Sequence, residues 1–290
     1  MQTMNRNGTT PATRRKSTGT RLARTVAVIG RKGRMGAMLA RRLGVAGHAV
    51  TGADRTPCMD GPPALDPDEL ARALRASDFV LLAVPVTALP EVLELAAPYL
   101  NPGQVLFDIA SVKEPALRCM EAHHTGPVVG AHPLFGPHPQ PADLRVALVP
   151  GRGASEEACR DVEGLFTDIG CTCFRVTAEE HDRNVALIQS LNFAGGAAYL
   201  ALAARSGDSR FFTPSFRRRM ESARALLTDD AAMFSEFSAA NPYFTEILAD
   251  YADTLRAVTA SGKDPEASPE LIRKRLADLA RQAAGIYGDR

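Results

Sequence analysis

From Thr25 onward, short unbroken apolar runs alternate with stretches whose apolar residues recur every three to four positions. Thr25-Val-Ala-Val-Ile29 reads as a buried strand closed by Gly30, and Met35, Met38, Leu39, Leu43 and Ala46 mark one face of a helix over 34–46. His48–Ala53 is the next strand and ends at Asp54. Asp66-Pro-Asp-Glu69 then sets a helix start, with Asp at the cap, Pro in the first turn and Glu three residues on. Phe79–Val84 is continuously apolar, as a strand covered on both faces must be. Gln104–Asp108, Pro127–Gly130, Arg145–Val149 and Cys171–Val176 continue the series, separated by helical spacing at 88–99, 113–122 and 155–168. Strand–helix alternation with short connections predicts an α/β Rossmann-type fold, a doubly wound parallel sheet with helices on both faces.

The alternation stops after Val176. Thr177-Ala-Glu-Glu180 is a capping box opening a long helix through about Ala204, with Val185, Ile188, Asn192, Gly195, Tyr199 and Leu202 on one face. Each of Gly195 and Gly196 costs such a helix roughly 1 kcal/mol relative to Ala, which close approach of another helix would explain. Helical spacing then fills 214–227, 230–239, 242–258 and 269–286 with no strand between them. The expected organisation is a disordered basic tail over 1–23, a dinucleotide-binding Rossmann domain over 24–176, and an all-helical domain for substrate and dimerisation over 177–290.

Composition narrows the function. At 45% hydrophobic and 23% charged, the 290 residues are an ordinary globular chain. Residues 1–53 carry eleven Lys and Arg and no acid, so the near-neutral total hides a net charge of −10 over the remainder. A chain acidic over most of its length makes a poor nucleic-acid binder. No apolar run approaches the roughly 18 residues of a membrane span, so no membrane partner is expected. The five cysteines are odd in number and lack a C-x-x-C pair, which points to a reducing, cytoplasmic setting and to no metal site.

The chemistry gathers at the strand ends. Gly30-Arg-Lys-Gly33-Arg34-Met35-Gly36 lies between a strand and its helix, where glycines permit a tight turn and close approach of a pyrophosphate to the helix start. Asp54, 24 residues after Gly30, stands where a ribose 2′-hydroxyl is held and favours NAD. Arg31, Arg34 and Arg55 leave NADP open, since they could meet a 2′-phosphate. Val84-Pro85 follows a buried strand where a nicotinamide could lie, and Ser111 follows another near a helix start. His132, in the stiff segment Gly130-Ala-His-Pro-Leu-Phe-Gly-Pro137, reaches the same sheet edge, and an imidazole titrating near pH 6.5 can take a hydroxyl proton as hydride leaves.

Together Val28-Ile-Gly-Arg-Lys-Gly-Arg-Met-Gly36, Asp108-Ile-Ala-Ser-Val-Lys113, the His132 segment, and Glu180-His-Asp-Arg-Asn184 with Ala186-Leu-Ile-Gln189 resemble the prephenate/arogenate dehydrogenase family of tyrosine biosynthesis. The resemblance implies NAD(P)-dependent oxidative decarboxylation of prephenate to 4-hydroxyphenylpyruvate, or of arogenate to tyrosine, by a homodimer built on the helical domain. It implies that His132 takes the ring-hydroxyl proton and that Ser111 contacts substrate beside the nicotinamide. The helical domain departs from the pattern. The family carries a His shortly after the Ile-Gln pair, where this chain has Leu191-Asn192-Phe193. It also places a carboxylate-clamping Arg after the segment matching Asn241–Leu248, where this chain has Asp253, leaving Arg256 or Arg217 to substitute. An amino-bearing substrate, arogenate or 4-amino-4-deoxyprephenate, is the alternative. A β-hydroxyacid or imine reductase would want a Lys or Asp base on the long helix, where only Asp182 is found; His181 and Asp182 otherwise read as cap and interface residues. A catalytically silent dinucleotide-binding regulator is a further class, one that would tolerate loss of His132.

Overall fold

The computed structural model describes residues 23–58, 61–205, 208–229, 231–263 and 269–287. The basic tail therefore lies outside the described residues, apart from Ala23. The α/β part runs β1 (Thr25–Ile29), α1 (Arg34–Val45), β2 (Ala49–Ala53), β3 (Arg55–Cys58), β4 (Gly61–Leu65), α2 (Pro67–Arg75), β5 (Phe79–Leu82), α3 (Leu89–Ala96), β6 (Val105–Asp108), α4 (Glu114–His123), β7 (Val128–Pro133), β8 (Arg145–Pro150), α5 (Glu156–Asp168) and β9 (Thr172–Arg175). Seven strands form one sheet in the order β2-β1-β5-β6-β7-β8-β9. The chain reverses direction across the sheet between β1 and β5, and ligands of such sheets bind beyond the carboxyl ends at that point.

Side-chain alternation explains why both faces are covered. Val26, Val28, Phe79, Leu81, Phe107, Val129 and Ala131 pack on one face with α1 and α5. Ala27, Ile29, Val80, Leu82, Leu106 and Val128 pack on the other with α2, α3 and α4. Burying each Val, Leu, Ile or Phe among them contributes about 1.5–3 kcal/mol. The caps match the sequence: Asp66 accepts the Asp68 and Glu69 N–H groups, and Thr177 Oγ1 accepts that of Glu180.

Two features depart from the expected all-parallel sheet. Strand β8 runs antiparallel to β7, with His132 opposite Ala147. Residues 134–144 hold only a one-turn 3-10 helix, Pro141–Asp143, and a parallel return would need a full crossover helix. Strands β3 and β4 form an antiparallel hairpin directly after Asp54, with a register shift between Thr56 and Cys58.

The helical part comprises α6 (Ala178–Gln189), a π turn at Ser190–Ala194, α7 (Gly195–Ala203), α8 (Pro214–Asp229), α9 (Ala231–Ala240), α10 (Phe244–Lys263) and α11 (Pro269–Tyr287). The expected long helix runs Ala178–Ala203 and widens into the π turn at Ser190–Ala194. Its glycines serve close packing: a Cβ on Gly195 would meet the Tyr251 hydroxyl at 3.2 Å, and one on Gly196 would meet Ala223 at 3.7 Å. Against the sequence expectation, the stretch Ala178–Ala203 is long and apolar enough to cross a membrane, at mean hydropathy 1.4. One face of it packs inside the protein. Val185 and Ala186 pack with Val112 of the α/β part and Phe237 of α9, while the π turn stacks Phe193 on Phe234.

Candidate active site

At the carboxyl end of β1 the chain turns through Gly30 with φ +88°, a conformation costly to residues with a Cβ. A Cβ there would lie 2.5 Å from the Ala83 carbonyl at the end of β5, and one on Gly36 would overlap the Gly30 carbonyl. The glycines therefore seat the turn against β5 and bring α1 close beneath it. Gly33 is the N-cap of α1 and offers no side chain to its N–H groups, while Arg34 is exposed and Met35 half-buried. This is a cradle that suits a pyrophosphate.

Asp54 is buried at the end of β2 and accepts the Lys32 N–H at 2.6 Å, which ties the glycine turn to the second strand. One carboxylate oxygen is used by that bond, and the other remains for a ribose hydroxyl. Arg55 pairs with Glu91 of α3 at 2.6 Å, with both side chains exposed. Val84 is half-buried over Gly30 and Pro85 is exposed beside it. These residues fit a dinucleotide.

Register brings the remaining chemistry to the same edge. Ile29 pairs with Leu82, Leu82 with Asp108, and Asp108 with Gly130, so His132 sits two residues further along β7, past the end of β6. Asp108 Oδ2 accepts the Ala110 N–H at 2.8 Å and bends the chain that carries the half-buried Ser111. The fully buried Lys113 donates to both Asp108 oxygens, at 2.7 and 2.6 Å, and to the Ala131 carbonyl at 2.8 Å. Lys113 thereby fixes β7 one residue before His132. Burial pushes the Asp108 carboxyl up and the Lys113 ammonium down, and their mutual attraction opposes both shifts.

His132 keeps only 7% of its surface. Burial, and then the neighbouring His181 ring and the Lys113 ammonium, hold its imidazole well below the ordinary value, so the ring is neutral at pH 7. His132 Nδ1 lies 2.9 Å from His181 Nε2, and His181 Nδ1 lies 2.7 Å from Asp182 Oδ1. Asp182 also accepts the Lys113 and Glu114 N–H groups at 2.7 and 2.8 Å, capping α4 from the helical part. Asn241 Nδ2 donates to the Asp182 carbonyl at 2.9 Å, and Tyr243 donates to Glu114 Oε1 at 2.5 Å. The sequence left His181 and Asp182 as cap and interface residues. Asp182 is both, on the opposite domain's helix, and their signal in the chain was an adjacent His-Asp pair opening an apolar helix.

The two arginines expected at the substrate are not brought to this cluster. Arg217 donates to the Ser209 carbonyl at 3.2 Å and lies over the Phe212 ring, and Arg256 pairs with Asp253 on an exposed side of α10. The Leu191-Asn192-Phe193 segment, where the resemblance anticipates a histidine, is the π turn.

Comparison with known proteins agrees with this arrangement. Residues 63–171 match the prephenate dehydrogenase nucleotide-binding domain. The T-protein of Enterobacter agglomerans is 34% identical over 176 residues, covering 61% of this chain and 44% of that protein. A 4-amino-4-deoxyprephenate dehydrogenase of Streptomyces pristinaespiralis is 32% identical over 186 residues, covering 59% of this chain and 60% of the relative. The chain therefore spans about half the length of these relatives. Among solved structures, Aquifex aeolicus prephenate dehydrogenase in complex with hydroxyphenyl propionate and NAD+ superposes with a TM-score of 0.72 at 18% identity, covering 92% of this chain and 99% of that one. With the glycine turn, Asp54 and His132 on one sheet edge and the helical part laid against it, the chain shares the fold of prephenate dehydrogenase structures, and its residues 63–171 match that family's nucleotide-binding domain.

Proposed function

We propose that the protein is an NAD-dependent dehydrogenase that oxidatively decarboxylates prephenate to 4-hydroxyphenylpyruvate, working as a homodimer through its helical domain. The observation that carries this reading is His132: a buried, neutral imidazole whose Nδ1 is engaged by His181, leaving Nε2 for a ligand at the edge where the glycine turn lies. A bound dinucleotide supplies the hydride acceptor. Gly30, Gly33 and Gly36 would make room for its pyrophosphate, Asp54 would hold a ribose hydroxyl, and Val84 and Pro85 would flank the nicotinamide. His132 Nε2 accepts the ring hydroxyl as positive charge builds at that oxygen, and the phenol recovers the proton once CO2 has left. Ser111 holds the substrate beside it. A positioned His supplies roughly 10²–10⁴-fold; alignment of the ring supplies the rest.

A second reading rests on the missing clamp. Neither Arg217 nor Arg256 is brought to the His132 cluster, and Asp253, where a clamping Arg is anticipated, is exposed and paired with Arg256. A substrate bearing an amino group, arogenate or 4-amino-4-deoxyprephenate, is the counterpart, and one relative is named for the latter. NADH formation with the three substrates, each with NAD and NADP, decides between them. Turnover of prephenate with NAD supports the first reading and turnover of an amino-bearing substrate alone supports the second; silence with all three overturns both.

A further inference from the structure

Asp182, His181 and His132 form a single hydrogen-bonded line from the helical part to the sheet edge, and with His181 neutral the chemistry of each atom sets its direction. Asp182 Oδ1 already accepts the Lys113 N–H, and Oδ2 accepts that of Glu114. As an acceptor it requires His181 to present Nδ1–H across their 2.7 Å contact. A neutral His181 protonated at Nδ1 carries its lone pair on Nε2. Nε2 then accepts across the 2.9 Å contact, so His132 must present Nδ1–H, which leaves the His132 lone pair on Nε2.

We propose that His181 and Asp182 are positioning residues that lock His132 in the Nδ1–H tautomer. Nε2 is thereby an obligate acceptor toward the substrate hydroxyl, the state a proton acceptor needs. The line is well insulated from competing partners: Asp182 and His181 are almost wholly buried, and the rings of His132 and His181 meet edge to face at 70°. The opposite polarity requires a doubly protonated His181, whose Nε2–H would hold His132 as the Nε2–H tautomer, a donor unable to accept the hydroxyl. This inference rests on the dehydrogenase reading for its catalytic meaning, although the tautomer itself does not.

The test is a long-range 1H–15N correlation spectrum of the full-length protein labelled with [15N]histidine at pH 7, with the His132 signals assigned by their loss in His132→Asn. A protonated Nδ1 and bare Nε2 on His132 are expected; a protonated Nε2 overturns the proposal. Kinetics of two variants add an independent reading. His181→Gln keeps an acceptor near the Nε2 position and is expected to hold kcat within about tenfold of wild type. His181→Asn withdraws it and is expected to lower kcat by roughly 10²-fold, the low end of what a positioned base supplies, with KM little changed. Equal kcat in wild type and His181→Asn also overturns the proposal. Because the spectrum needs no substrate, an enzyme silent toward every cyclohexadienyl substrate would refute the dehydrogenase reading and leave the tautomer measurable.

Discussion

At the scale of single residues, the His132 environment makes a directional prediction about pH. Burial and neighbouring charge lower its protonation equilibrium, so the reactive neutral form persists below the ordinary value of about 6.5. The acid limb of kcat/KM is expected to fall below pH 6.5, and a limb at or above that value would remove His132 as the controlling group. The same shift bears on stability. The unfolded chain takes up this proton near pH 6.5 while the folded site resists it. His132 therefore contributes its full stabilisation above that value, and the contribution declines as pH falls toward the lowered folded value. His132→Asn is expected to keep dinucleotide binding, measured by fluorescence titration, and to lose about 10²–10⁴ in kcat. Lys113 carries a different weight. Lys113→Met strands Asp108 in the core and should cost about 3–5 kcal/mol in denaturant melts. Pairing it with Asp108→Leu should restore most of that loss, because no charge is then left buried alone.

Among the elements, what could be read in the chain followed from local spacing, and what could not depended on contacts made far along it. Strands such as Phe79–Leu82 announce themselves by unbroken apolar character, and α2 by its Asp66-Pro67 start. The hairpin β3–β4 carries Pro57, Pro62 and Pro63, which argue against strand, so local spacing gives no sign of it. The π turn at Ser190–Ala194 was invisible because apolar spacing reads smoothly across one wider turn. The glycine turn, Asp54 and Ser111 lie just past strand ends, as the sequence reads them, whereas His132, read as following a strand, stands inside the last residues of β7. The partnership of His132 with His181 was not legible, since 49 residues separate them and only the docking of α6 joins them. The glycine turn also has an element-scale test. Gly36→Ala places a methyl group against the Gly30 carbonyl, and is expected to cost about 1–3 kcal/mol in melting experiments and to abolish NADH binding.

For the molecule as a whole, α6 and the segment following it expose Leu187, Ile188, Leu191 and Leu202 in the single chain. An apolar stripe of this kind suits a partner helix, in keeping with the proposed dimer. Sedimentation is expected to give a dimer, and Ile188→Asp to shift it toward monomer; a wild-type monomer at micromolar concentration would refute this assembly. Asp182 has a consequence for how the protein fails. One carboxylate caps α4 in the α/β part and anchors the line that ends at His132, so the seam between the two parts also carries the proposed catalytic line. Warming that loosens the seam would silence turnover while the sheet stays folded. The midpoint of thermal inactivation should therefore precede the loss of secondary structure by circular dichroism, which would make activity a thermometer of how firmly the two halves are clasped.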